Sequence, residues 1–147
     1  MLKLAITTIG LIILTSTTYA HNEDKPGPHG GHIQMPANFH TEVISAKNAF
    51  HVYLLDMQFE NPTTKNSWVK AFVINAKKKT LLKCSPMGEE HFQCVSKKPI
   101  KTGFLILKTK RNGTEASMDA KYEIPLKPFD SQPSMAPAPT EDHSSHH

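Results

Sequence analysis

Residues 39–57, FHTEVISAKNAFHVYLLDM, hold two apolar-rich runs, FHTEVIS (39–45) and AFHVYLLDM (49–57), parted by the short break Ala46-Lys47-Asn48. Neither run shows the 3.6-residue period of an amphipathic helix. Both are rich in β-branched and aromatic residues and read as two strands joined by a hairpin-like turn. The same kind of segment recurs outward from this pair. SWVKAFVINA (67–76) follows the turn-forming ENPTTKN (60–66), and TLLKC (80–84) and HFQCVS (91–96) flank the turn formers Pro86 and Gly88. TGFLILKTK (102–110) runs to Asn112-Gly113, the strongest short turn signal in the chain. In EASMDAKYEI (115–124) the pattern alternates, with Ala116, Met118, Ala120, Tyr122 and Ile124 on one face and Ser117, Asp119, Lys121 and Glu123 on the other.

Seven short strands about ten residues apart predict an all-β fold, an antiparallel β-sandwich of the immunoglobulin or cupredoxin-like kind, over residues 39–126. The expected core is Phe50, Val52, Leu54, Phe72, Ile74, Phe92, Phe104, Ile106 and Tyr122, with Trp68 at one end. No internal repeat is visible.

The flanks differ in composition from this domain. Residues 1–20 combine Lys3, an apolar centre from Leu4 to Leu14 and the small polar run TSTTYA, the pattern of a secretory signal peptide cut after Ala20. That apolar run is too short to span a bilayer, and no second stretch replaces it. Residues 21–38 read as a disordered His/Gly/Pro-rich arm. Residues 127–147 read as a disordered tail, rich in proline, alanine and serine and ending in three histidines among its last five residues.

The formal charge is +4 for the whole chain and +3 once Lys3 is removed, and the lysines are scattered rather than gathered on one helical face. A solvated basic surface accounts for them, and nucleic-acid binding is poorly matched to export. The two cysteines, Cys84 and Cys94, face an oxidising compartment, which favours a disulfide across their hairpin. The rival is a thiolate copper site with Met87 and His91.

The densest chemistry lies in HNEDKPGPHGGHIQMPANFHTE, residues 21–42. Gly30 and Gly31 let the chain turn between His29 and His32, as two rings converging on one ion require. His40 and Glu42 are two apart in a strand and so share a face. An arm folding back over that face completes a site with His29 or His32, and Met35 lies on the connecting arc. Neutral imidazole takes copper or zinc, and thioether sulfur selects Cu(I). Cleavage after Ala20 also leaves His21 as an amino terminus whose amine and ring chelate copper together, as in copper-brace sandwiches. The expected metal set is therefore His29, His32, His40, Glu42, Met35 and His21, with copper or zinc as the ion. His51 and His91 read as ordinary solvated or hydrogen-bonded strand histidines.

KPGPHGGHIQMPANFHTEV followed by FHVYLLD, residues 25–57, resembles small periplasmic proteins and domains found alongside bacterial heavy-metal efflux systems. The resemblance implies a soluble periplasmic metal-handling module, with a periplasmic efflux component as partner and His29, His40 and Glu42 at the family's positions. No GxSxG elbow, catalytic triad or phosphate-binding glycine loop is present, so no enzymatic activity is expected. The two surviving readings are a periplasmic metal-binding protein and an envelope interaction or structural sandwich without a specific metal.

Overall fold

The computed structural model describes residues 25–129, so the expected signal peptide, His21 and residues 130–147 of the expected tail lie outside the described residues. Ten strands are present: β1 (His32–Gln34), β2 (His40–Ala46), β3 (Ala49–Leu55), β4 (Trp68–Asn75), β5 (Lys78–Leu81), β6 (Lys83–Met87), β7 (His91–Val95), β8 (Gly103–Arg111), β9 (Thr114–Glu115) and β10 (Ala120–Ile124). No described residue is helical. The strands form two antiparallel sheets, in the orders β1-β2-β3-β7-β6 and β10-β8-β4-β5, with β9 pairing β8. The protein is an antiparallel β-sandwich.

The hairpin that opened the sequence is β2–β3, registered from His40 opposite Leu55 to Ala46 opposite Ala49. Because side chains alternate, Val43, Phe50, Val52 and Leu54 enter the core while Glu42, Ile44, His51 and Tyr53 point outward. Phe92 and Cys94 join the core from the first sheet, and Val69, Ala71, Val73, Leu105, Leu107, Tyr122 and Ile124 from the second. Each valine, leucine, isoleucine or phenylalanine among them, fully buried, contributes roughly 1.5–3 kcal/mol. Tyr122 ties the layers together: its hydroxyl donates to the Thr41 carbonyl at 2.9 Å and lies 2.6 Å from the Thr41 hydroxyl. Burial pushes this phenol well above the ordinary tyrosine range.

Four features depart from the sequence reading. First, the arm is not wholly irregular: residues 32–34 pair with β2 as β1, and Gln34 reaches the second sheet, its Oε1 accepting the Lys121 N–H at 2.8 Å. Buried Ile33 explains why this segment docks. Second, TLLKC is not one strand. Leu82 is buried where the chain passes from β5 in one sheet to β6 in the other, and its N–H bonds the Ala71 carbonyl at 2.9 Å.

Third, only residues 120–124 of the alternating EASMDAKYEI stretch form a strand, and Met118 is exposed. Its N–H bonds the Pro36 carbonyl instead, at 3.2 Å. Fourth, Phe72, Ile74, Phe104 and Ile106 lie on the outer face of the second sheet, where Phe72 stands opposite Ile106 and Ile74 opposite Phe104. Both faces of KAFVIN and GFLIL are apolar, so alternation alone could not choose the inner one. The Lys79 ammonium lies 3.8 Å from the Phe72 ring centre and that of Lys121 lies 4.0 Å from the Phe104 ring centre, so lysines roof this face.

The expected disulfide is present. Cys84 and Cys94 face one another across β6–β7 with an S–S distance of 2.03 Å, so the cysteines are not thiolate ligands.

Candidate metal centre

The glycine-rich arm folds back onto the outer face of the first sheet, and Glu42 is the reason. This carboxylate is completely buried. Burying it is costly unless its oxygens are satisfied, and the arm supplies the donors. Oε1 accepts the backbone N–H groups of His29 and Gly31, both at 2.8 Å, and Oε2 accepts from Nδ1 of His29 at 2.7 Å. A tight turn presents them, with Gly30 N–H to Gly27 carbonyl at 2.9 Å and Gly27 N–H to Gly31 carbonyl at 2.8 Å.

The glycines at 27 and 31 are required by contact. A Cβ on Gly27 would lie 2.6 Å from the Glu42 carboxyl carbon, and one on Gly31 would lie 2.7 Å from the Val43 carbonyl oxygen. Gly30 has open space but a φ of +82°, a conformation that glycine adopts without a Cβ penalty. Gly31 is therefore a close-approach residue rather than a hinge between two ligands.

Because a carboxylate only accepts, His29 carries its proton on Nδ1 and presents Nε2 outward. This is the orientation that a second-layer carboxylate imposes on metal-binding histidines. The ring stacks on Tyr53, centroids 3.8 Å apart and planes within 9°. Tyr53 in turn stacks with His91 at 4.9 Å, and His91 lies 5.1 Å from His51. The order follows from register, since Glu42 pairs with Tyr53, Tyr53 with His91, and His91 with Met87. One face thus carries His29, Tyr53, His91, His51 and the half-exposed thioether of Met87.

Burial, and then the neighbouring rings of His51 and His29, hold His91 below the ordinary imidazole range, although Glu90 opposes this. The Tyr53 phenol is raised by burial and by the nearby Glu42 and Glu90 carboxylates. His91 is thus biased toward the neutral form that binds metal.

The remaining residues expected from sequence do not join this group. His40 is buried and donates from Nδ1 to the Asp56 carbonyl at 2.9 Å, while Phe59 stacks on it at 4.1 Å. The loop that covers it is closed by the Asp56 carboxylate, which accepts from the N–H groups of Gln58 and Glu60 and from the Asn61 amide. Those bonds, the Glu60 one foremost, hold the Asp56 carboxyl below its usual range. His40 is a packing residue in this setting.

His32 pairs with Val43, which puts it on the opposite side of β1 from Ile33 and Glu42. There it stacks on Phe129 at 4.3 Å, and burial lowers its pKa. His29 and His32 therefore diverge, because two residues three apart around a strand start land on opposite faces. Met35 is exposed beyond the end of β1, and His21 lies outside the described residues. Of the expected set, His29 and Glu42 meet, as a hydrogen-bonded pair.

Sequence reasoning passed over Gly27 and Tyr53, named His91 only as a ligand of the rival thiolate site with Met87, and read His51 as an ordinary strand histidine. His51 and Tyr53, two apart in a strand, already share a face. His91 joins them only through the β3–β7 pairing, which no local pattern reveals. Among the described residues no group of three or more His, Cys, Asp or Glu side chains is placed to hold a metal ion, so any site here rests on an imidazole pair. No family model, no curated protein and no solved structure matches the chain.

Proposed function

We propose that this is an exported, periplasmic metal-binding protein, without enzymatic activity, that buffers copper or delivers it to a periplasmic efflux component. The observation that carries the reading is the 5.1 Å separation of the His51 and His91 ring centres. An ion about 2.0 Å from one nitrogen of each ring, with a tetrahedral angle between them, sets ring centres about 5 Å apart. Met87 stands opposite His91 and offers thioether sulfur. Two imidazoles and a thioether suit Cu(I), whereas a closed structural zinc site takes four N, S or O donors.

The disulfide fits an oxidising compartment, as export through residues 1–20 requires. No helix among the described residues is long and apolar enough to cross a membrane. Calorimetric titration with Cu(I) under non-thiol reductant, Cu(II) and Zn(II) tests the reading. Saturable Cu(I) binding at one equivalent is expected, weakened at least tenfold by His51→Ala with His91→Ala. The absence of saturable heat from any of the three ions would sink it.

A second reading, an envelope interaction module, is favoured by the apolar outer face of the second sheet, where Leu81 is 74% and Phe104 40% exposed. It predicts no metal binding and a partner-dependent loss of exposure at Leu81.

A further inference from the structure

Charge is unevenly distributed along this chain. Between Asn61 and Thr114 twelve lysines and arginines stand against two acids, Glu89 and Glu90. The fold gathers part of this excess around a cleft of about 630 Å³, between β5, β6 and the segment 96–102 that follows β7. Lys78, Lys83, Lys97, Lys98 and Lys101 line it, and no Asp or Glu does. The ion pairs formed among the described residues are His29–Glu42 and Lys108–Asp119, so none of these five ammonium groups is neutralised there.

The cleft also has an apolar part. Val73, Leu81, Val95 and Ile100 line it, with Leu81 74% and Val95 42% exposed. Its walls are fixed before any ligand arrives. The Ser96 N–H bonds the Asn48 carbonyl at 2.9 Å, and the Asn75 amide donates to Thr102 at its carbonyl and hydroxyl, at 3.1 and 3.0 Å. A Cβ on Gly103 would lie 2.5 Å from the Ile74 carbonyl oxygen, so the segment sits hard against β4.

A solvated basic surface, which only keeps a sheet edge soluble, needs neither concavity nor exposed aliphatic side chains. A water-filled concavity rimmed by unpaired ammonium groups raises the local concentration of anions, and its volume lies in the range of small-molecule sites. Apolar lining adds affinity for a ligand with an apolar body. We infer that this cleft binds a single-chain anionic lipid, its acidic head among Lys97, Lys98 and Lys101 and its acyl chain along Leu81, Val95 and Ile100. This site lies at the β5/β6 edge, where Lys83 and Val95 stand at the opposite end of β6–β7 from Met87 and His91, and does not depend on metal binding.

The test is fluorescence titration of the secreted chain with monomeric lysophosphatidylglycerol, its neutral counterpart lysophosphatidylcholine, glycerol phosphate, and phosphatidylglycerol vesicles. The anionic monomer should bind at least tenfold tighter than the neutral one and than glycerol phosphate, and more weakly as salt rises. Lys97→Glu with Lys98→Glu and Lys101→Glu should weaken it at least tenfold. The same charge change at Lys65, Lys70 and Lys110, outside the cleft, should weaken it less than threefold. Equal affinity for the two lysolipids, equal loss in both variants, or glycerol phosphate as tight as the lipid would each overturn the proposal. Binding to vesicles without binding to the monomer would overturn it too, in favour of a flat membrane contact. Circular dichroism on both variants separates lost binding from lost fold.

Discussion

The outer faces of the two sheets are built on the same strand geometry and differ in what their side chains are free to do. On the first sheet the aromatic and imidazole rings are held in order by neighbours, His29 by Glu42 and Tyr53, and His91 by Tyr53 and His51. On the second sheet Phe72, Ile74, Phe104 and Ile106 form an apolar surface roofed by flexible lysine stems. A candidate site is therefore marked by side chains whose direction is fixed while a lone pair stays unused and open to solvent. Abundance of histidine does not mark it. His40 makes the point from within the first sheet: its Nδ1–H is held by the Asp56 carbonyl much as that of His29 is held by Glu42, but the ring is buried beneath Phe59, where no ion reaches it.

Substitutions can break this contrast, beginning with its strongest interaction. Glu42→Ala removes the acceptor of three hydrogen bonds and leaves their donors without a partner, so thermal or chemical unfolding should show a loss of about 3 kcal/mol. Glu42→Gln is the sharper version. Its amide N–H₂ faces Nδ1 of His29 and forces the other tautomer, which turns Nε2 from acceptor to donor. Histidine NMR should register that switch, and an unchanged tautomer would contradict the orientation assigned to Glu42.

On the second sheet, Phe72→Ala should cost about 2 kcal/mol in denaturant unfolding, less than a core phenylalanine because its burial comes from side chains on an outer face. A cost above that of Phe50→Ala would mean that the inner and outer faces are wrongly assigned.

Acid provides a smaller effect. Burial lowers the pKa of both His91 and His32, so the folded protein binds fewer protons at these rings than the unfolded chain does. Their contribution to stability is present above about pH 6.5, the unfolded value, and is lost as the pH falls through the folded values. Denaturation midpoints should drop between neutral pH and pH 5, and His91→Gln should reduce that drop. Smallest of all, Lys79→Gln removes an ammonium above Phe72 and should cost about 0.5 kcal/mol, measured by chemical denaturation.

Much of the fold was legible because strands with one polar face declare themselves. AFHVYLLDM and HFQCVS alternate, and Phe50, Val52, Leu54 and Phe92 enter the core as the sequence indicates, joined by Phe39, Val43 and Cys94. KAFVI and GFLIL are apolar on both faces, and there the inner face is decided by pairing between β4 and β8. The site was legible only where it is local. The arm's return to Glu42 follows from a glycine-rich turn near a strand acid, and the sequence carries both. Met87 and His91 meet across the local cysteine hairpin, which the sequence does indicate, but bringing His51 beside them requires β3 to meet β7, a long-range register that no spacing encodes. The same alternation that put His40 beside Glu42 sent His32 to the other face.

The proposed copper site assigns the ion to His51 and His91 and not to His40. Heteronuclear NMR of the imidazole nitrogens during Cu(I) titration tests it most directly. Large shifts are expected at one nitrogen each of His51 and His91, complete at one equivalent, with both nitrogens of His40 unmoved. Shifts at His40, or none at His51 and His91 while copper binds, would contradict it.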